Sequence, residues 1–543
     1  MSSAVRSRPV ARNAWPWVTA LMMLLAVASV LAATRQGVGL SPDSGAYIVI
    51  SRSLAQFEGA MAMDIDGDPR PATHYPPGAA AALAPSYWLG VPVHTWAAGV
   101  GAVCMAGCIG LMLTLVRRTG AAPVAGVVAG AAFFTPGLLE TFSHLWSEPL
   151  YLLLMSAALL LLVEHAHRPR YGLALAAGLL VGLGCLTRYA GIFLVGGGTL
   201  AVLLVSQMSW SQRLARSAVF ALAAGLLPGL WALRNRLLAG STTNREAAFN
   251  PPKREELLSA AQTFAEWLAP APSSGLMWLL VGLGVVLVVL ALRTGWHARD
   301  AARDAARDVG WRREGDEGEA AAEAAAGRRA KAVGVLSLCG LTYGVFIYTS
   351  KTWFDAHTPF DFRIFSPLQV MLIGLMGVGV VGPVSRGLPG WGPKLLALLL
   401  GVFVLGQAVR GTAWVAAAPQ GSLGFHSDRW RNSELIAYTM QNIPETVPVF
   451  TNAPDAFYLL HDRLPGRLPQ RYNLSTRRED PGYRRHLASV SEGVEAGGRI
   501  VYFDGWRRGR VIDQQQLVDD LGLELEYRAA DGSVWRAAGE PDR

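Results

Sequence analysis

The chain has 543 residues, 52% of them hydrophobic and only 16% charged, with a mean hydropathy of +0.29. Soluble domains carry about 25% charged residues, and here the apolar residues come in long blocks, so the composition excludes an ordinary soluble enzyme and describes a polytopic membrane protein. The net charge of +8 calls for no nucleic acid, because Lys and Arg collect in the cytoplasmic loops of membrane proteins. The four cysteines (Cys104, Cys108, Cys185, Cys339) all fall in apolar stretches without a CxxC pair, which argues against a disulfide framework or a zinc site.

In chain order, residues 1–13 form a basic front end with Arg6, Arg8 and Arg12. They precede an apolar run from Ala14 to Thr34 that is too long for a signal core, so it reads as a retained first span with the N-terminus in the cytoplasm. Loop 35–78 then lies outside. Its acidic tip, Asp64 to Asp68, has a DxDxD pattern but lacks the later glutamate of a calcium loop, which favours a solvated turn. The segment 79–95 is broken by Pro85 and Pro92, and span two runs on to Arg117-Arg118. Further spans are expected at 121–139, 150–163, 171–187, 190–206, 217–233 and 275–292. A cytoplasmic Ala/Glu/Arg-rich insert follows at 293–331, then spans at 332–349, 364–382 and 394–410. Arg386 and Lys394 mark an inner loop between the last two.

The expected fold is therefore a polytopic α-helical membrane protein of about eleven spans over residues 14–420. Residues 421–543 read differently. Val447–Phe450 and Arg499–Phe503 look like buried strands, 429–442 and 514–521 have helical spacing, and Leu523–Ala537 suggests a hairpin around Asp531-Gly532. This predicts a small α/β domain on the outer side of the membrane.

The polar residues hardest to explain by packing are Asp43, His74, Glu148, Arg188, Arg234, Asp361 and Arg363, and the topology puts all of them on the outer side. Ser41 and Pro42 start a helix with Asp43 in its first turn, and Tyr47, Ile50, Leu54 and Phe57 give that helix an apolar stripe suited to a membrane surface. Asp43 can serve the cap or act as a general base. Arg188 can snorkel to the interface or hold a phosphate. Glu148 can cap its span, Arg234 can anchor the interface, and Asp361 can pair with Arg363.

Taken in order, several segments resemble the GT-C integral-membrane glycosyltransferases. They are Ser41-Pro42-Asp43-Ser44-Gly45-Ala46-Tyr47, His74-Tyr75-Pro76-Pro77-Gly78, Ser147-Glu148-Pro149, Leu186-Thr187-Arg188-Tyr189, Leu233-Arg234-Asn235 and Asp361-Phe362-Arg363. The branch they are most similar to is the bacterial one related to protein mannosyltransferases and to the transferase that places aminoarabinose on lipid A. The resemblance implies transfer of a sugar from a polyprenyl-phosphate donor to an acceptor (lipid, polysaccharide or protein) on the outer face of the cytoplasmic membrane, with inversion. It further implies Asp43 as catalytic base and Arg188, Arg234 and Arg363 as donor-phosphate ligands. Tyr47, His74, Tyr75, Glu148 and Asp361 would line the substrate pocket. Protein mannosyltransferases pair two acids in this loop, whereas Ser44 follows Asp43 here; the sequence thus supports neither a protein acceptor nor mannose in particular, and it gives no support for a metal cofactor. A lipid or sugar transporter would also gather intramembrane charges, but no internal repeat is visible. A plain envelope scaffold would not need this many spans.

Overall fold

The computed structural model describes residues 14–63, 69–206, 208–243, 245–270, 272–307, 317–381, 391–421, 423–506 and 511–539. The basic front end 1–13, the Asp64–Asp68 tip and Arg386 lie outside the described residues.

Helices follow one another through the first four-fifths of the chain. They are α1 (Ala14–Ala33), α2 (Pro42–Ala55), α3 (Gly78–Leu83), α4 (Pro85–Trp88), α5 (Val93–Arg118), α6 (Pro123–Ala131), α7 (Pro136–Phe142), α8 (Glu148–His167), α9 (Tyr171–Thr187), α10 (Ile192–Val205), α11 (Trp210–Ala239), α12 (Arg254–Glu266), α13 (Ser274–Arg307), α14 (Glu317–Trp353), α15 (Phe362–Met376) and α16 (Gly392–Gly421). Eight helical stretches among the described residues are long and apolar enough to cross a membrane. The expected third span is instead a pair, α6 and α7, bent by 69° where Thr135-Pro136 interrupts the helical hydrogen bonds. The expected fifth and sixth spans are shorter apolar helices, α9 and the stretch Tyr189–Val205, joined at Arg188. The eleven expected spans thus resolve into long helices, one broken pair and two short helices. The proposed insert 293–331 prolongs α13 and α14 as helix on either side of residues 308–316, which are not described.

Lipid supplies no hydrophobic drive between helices, so close contact through small residues holds such bundles together. One such contact is α9 on α11: a methyl group added at Gly178 would sit 2.6 Å from the Phe220 carbonyl oxygen. The bundle also fixes a polarity. α8 begins at Glu148 and ends at His167, a length of 20 residues and a rise of about 30 Å. Near its far end Arg118 pairs with Glu164 at 2.9 Å. The acid-and-arginine end of α8 and its basic end therefore lie on opposite faces of the bundle.

The tail forms a five-stranded sheet from β3 (Val449–Thr451), β4 (Gly466–Arg467), β5 (Arg499–Phe503), β6 (Leu523–Ala529) and β7 (Gly532–Ala537), in the order β4-β3-β5-β7-β6. A two-stranded ribbon between α2 and α3, β1 (Met61–Met63) with β2 (Pro69–Pro71), precedes them. Strands β3, β4 and β5 run parallel, and β5, β7 and β6 run antiparallel. Around the sheet lie α17 (Asp428–Arg431), α18 (Glu434–Asn442), α19 (Pro454–His461), α20 (Tyr483–Glu495) and α21 (Gln514–Leu521). The expected single helix over 429–442 is broken, because Ser433 leaves the helical path and caps α18 by accepting the Ile436 N–H.

The tail is packed onto loop 35–78 and the turn before α8. Val38, Leu40, Tyr47, Ile48 and Leu145 share one hydrophobic core with Phe425, Trp430, Phe457 and Phe503. Leu40 and Gly424 form a parallel β-bridge, with Gly424 at φ +56 and so close to the Leu40 carbonyl that a Cβ would collide at 1.9 Å. Helix α2 is thus enclosed by α3, β1 and α19, and the expectation that it lies free along the membrane surface is corrected. Only the end of its apolar stripe is open: Phe57, 86% exposed, stacks on Trp88.

Candidate active site

Three turns build the site. The Ser41 turn is closed by its own backbone N–H donating to Ser44 Oγ at 2.9 Å, and Ser44 Oγ in turn donates to the Leu145 carbonyl. Ser41 Oγ accepts from Trp146 Nε1 at 2.8 Å. The first-loop cap is therefore tied directly to the turn that precedes Glu148. The third turn is the start of α15, where Asp361 caps the helix by accepting the Ile364 N–H at 3.0 Å.

These turns bring four charged residues from four separate segments into one net. Arg363 donates to Asp43 Oδ2 at 2.6 Å and, through Nε, to Glu148 Oε1. Arg188 pairs with the same Glu148 oxygen and donates to Ser147 Oγ at 3.2 Å. Glu148 is only 1% exposed, so both guanidinium groups are needed to hold a carboxylate there. Arg363 also stacks over the Trp146 ring at 4.3 Å. Tyr75 donates its hydroxyl to Asp43 Oδ1 at 2.8 Å and meets Tyr47 edge to face at 5.2 Å. Burial, reinforced by the charges of Asp43 and Glu148, raises the Tyr47 hydroxyl pKa far above the ordinary tyrosine value and keeps it protonated.

The expected residues divide as follows. Asp43, Tyr47, Tyr75, Glu148, Arg188 and Arg363 meet in this net. His74 stands exposed at its rim, edge to face with Tyr75 at 4.8 Å. Asp361 lies one turn away and does not pair with Arg363 as its position suggested; it caps α15, and burial pushes its carboxyl above the usual aspartate range despite that cap. Neither Arg188 nor Glu148 plays its simpler expected role, since Arg188 turns inward to Glu148 and Ser147 holds the cap position of α8. Arg234 is placed differently from the other arginines: its two terminal nitrogens hold the Ala72 and Ala60 carbonyls at 2.7 and 2.9 Å, and it lies over Trp231. It braces the ends of the β1–β2 ribbon.

Sequence reasoning passed over two further groups. His144 is buried and stacked on Trp146 at 4.1 Å, with Nδ1 facing the Glu140 carbonyl at 2.8 Å. Burial, with Arg363 nearby, lowers its pKa to about 4, against the pull of the Glu140 carbonyl. Arg245 pairs with Asp355 at 3.5 Å. A single histidine in an aromatic-flanked turn and an arginine in a polar loop carried no local signal. Among the described residues no three His, Cys, Asp or Glu side chains gather as metal ligands would. Beside the net, Tyr47, Leu83, Ala97, Trp146 and Leu150 line a small, mainly apolar cleft.

This architecture, a helical membrane bundle with an acid-and-arginine net at one face and a small sheet domain over it, is similar to the fold of solved GT-C integral-membrane glycosyltransferases. Residues 73–310 match Glycosyltransferase family 87; the matched stretch includes His74, Tyr75, Glu148, Arg188 and Arg234 but begins after Asp43 and ends before Arg363. A lipid A galacturonosyltransferase, RgtD, from Rhizobium johnstonii is 36% identical over 128 residues, which is 23% of this chain and 27% of that protein. The match therefore spans about a quarter of the length of that relative. Among solved structures, ArnT from Cupriavidus metallidurans bound to undecaprenyl phosphate superposes with a TM-score of 0.56 at 14% identity, covering 97% of this chain and 99% of that one. An oligosaccharyltransferase from Archaeoglobus fulgidus gives 0.51 at 12% identity, over 89% and 68% of the two chains.

Proposed function

We propose that the protein transfers a sugar from a polyprenyl-phosphate carrier to an acceptor hydroxyl, with Asp43 as the general base. The observation that carries this reading is the convergence of Asp43, Glu148, Arg188 and Arg363 from four distant segments beside an apolar cleft. A net of two cations and two acids is charge-balanced at rest, and its cations are held by carboxylates that an incoming phosphate can replace. When Arg363 turns to the donor phosphate it leaves the Asp43 carboxylate to the acceptor hydroxyl, with Tyr75 still holding one oxygen. The carboxylate takes the hydroxyl proton as the acceptor oxygen attacks the anomeric carbon from the side opposite the phosphate. The carbon–oxygen bond to phosphate breaks, and the leaving phosphate's charge is taken by Arg188 and Arg363. Glu148 keeps the two guanidinium groups apart and oriented. Arg234 has no such role in this reading, because its donors are committed to carbonyls.

Support for a lipid-phosphate donor comes from the likeness to ArnT, solved with undecaprenyl phosphate, and from the partial match to a lipid A galacturonosyltransferase. The acceptor class that fits best with that relative is a lipid, and the sugar is left open by the residues. The basic ends of α5 and α8 favour the cytoplasmic side for the opposite face, so the net and the tail would face outward from the cytoplasmic membrane. The test is label transfer from polyprenyl-phosphate sugars to lipid acceptors by the purified full chain and by Asp43→Asn. The expected result is a loss of about 10²–10⁴-fold in the variant; undiminished transfer would remove Asp43 as base.

A further inference from the structure

A second ionic cluster joins the tail to the bundle, away from the net. Lys351, near the end of α14, is only 2% exposed. Its ammonium donates to Glu256 Oε1 at 2.9 Å, to the Ala356 carbonyl at 3.1 Å and to the Thr358 carbonyl at 2.6 Å. From the tail, Arg477 Nη2 reaches the same Glu256 oxygen and the same Ala356 carbonyl, both at 3.1 Å. The Ala356 N–H donates to the Ser475 carbonyl at 3.0 Å. Both polar groups of the Ala356 backbone are therefore held, one partly and one wholly, by the tail. Residues 355–360 lead directly into Asp361 and Arg363, and their far end is fixed where Ser259 and Thr263 donate to the Phe360 carbonyl at 3.2 and 3.3 Å.

The loop that presents Arg477 is built for one shape. Asn473 Oδ1 accepts the Ser475 and Thr476 N–H groups at 2.9 and 3.2 Å, and the Asn473 carbonyl accepts the Arg477 N–H at 2.8 Å. Arg477 itself has φ +57, a left-handed conformation that glycine adopts freely and arginine does not. A side chain kept in that conformation, with both its partners on the bundle, marks the side chain itself as the working part of the loop.

We propose that Arg477 is a positioning residue: the tail's 473–478 loop latches residues 355–360 so that α15 starts in the place where Arg363 can reach both Asp43 and Glu148. The latch acts on the segment whatever the reaction; its consequence for sugar transfer rests on the function proposed above.

The test uses the full chain in lipid nanodiscs. Arg477→Gly deletes the guanidinium while relaxing the backbone, so it is the variant least liable to misfold; Arg477→Lys keeps one charge, and Arg478→Ala is the control, since Arg478 is exposed. Backbone amide exchange over 355–364 should quicken roughly tenfold in Arg477→Gly, the size expected for a lost charged hydrogen bond. It should recover in part in Arg477→Lys and stay at the wild-type level in Arg478→Ala. In the transfer assay kcat should fall about tenfold in Arg477→Gly with donor KM nearly unchanged. Exchange over 355–364 that stays at the wild-type level in Arg477→Gly overturns the latch, as does faster exchange with unaltered kcat in an active enzyme. If the wild-type chain transfers no sugar, the function reading falls, while the exchange measurement still decides the latch.

Discussion

The face of the bundle that carries the tail uses the same positive side chains in two ways. In the net, Arg188 and Arg363 are held by the carboxylates of Glu148 and Asp43. At the braces, Arg234 holds the Ala60 and Ala72 carbonyls, and Lys351 and Arg477 share the Ala356 carbonyl and a single acid, Glu256. A carboxylate can be exchanged for a substrate's phosphate without stranding a charge, because one anion replaces another. A backbone carbonyl belongs to the fold, and losing its donor loosens the chain around it. The first arrangement suits chemistry and the second suits architecture, although neither difference shows in the residue types.

The sharpest way to break this comparison is to remove the acid that both arginines share. Glu148→Ala should abolish transfer and also lower stability by about 3 kcal/mol, because it leaves the largely buried Arg188 guanidinium without its carboxylate and Arg363 with Asp43 alone; thermal unfolding in detergent beside the transfer assay checks both. Asp43→Asn should separate the two effects, costing transfer heavily while stability falls by only about 1–2 kcal/mol, since the single amide oxygen can still accept from Tyr75 or from Arg363, though not from both. If Asp43→Asn unfolded the protein instead, the net would be a brace like the others.

Acid should act on the net through His144. Its pKa is lowered to about 4 in the folded chain, against about 6.5 unfolded, so the unfolded chain binds the proton more readily. The stabilisation is fully present above about pH 6.5, is lost as pH falls toward 4, and is on the order of 3 kcal/mol. Thermal unfolding between pH 7 and pH 4 should show that decline, and His144→Asn should flatten it. At the braces, Arg234→Ala should cost about 2 kcal/mol by releasing two carbonyls, with the loss in transfer no greater than the loss of folded protein. Tyr75→Phe should have the smallest effect, about 1 kcal/mol in transition-state stabilisation for one hydrogen bond to Asp43, read as a several-fold fall in kcat/KM.

The membrane class, the position of most helices and the strands of the tail were legible because they depend on local patterns: unbroken apolar length, alternation, caps and turn residues. The bend at Thr135-Pro136 and the break at Ser433 were less so, since a proline or serine signals an interruption without fixing its angle. In the site, Asp43, Glu148, Arg188 and Arg363 stood out as charges at span ends, and the topology placed them on one face. Their pairing was not legible. Asp361 looked like the partner of Arg363 from two residues away, but a helix start turns those two side chains apart and leaves the acid to cap α15. Arg234 looked equal to Arg188, and only the positions of the Ala60 and Ala72 carbonyls show that its terminal nitrogens are occupied.

By itself, then, the sequence determined that this chain spans a membrane and gathers acids and arginines on one side of it, because insertion energetics depend on composition along short stretches. Tertiary structure alone decided which arginine meets which acid, that α2 is enclosed between α3, β1 and the tail, and that Arg477 reaches loop 355–360 from more than a hundred residues away. Those contacts join segments remote in sequence, and an ion pair depends on separations of a few ångströms that no local pattern encodes.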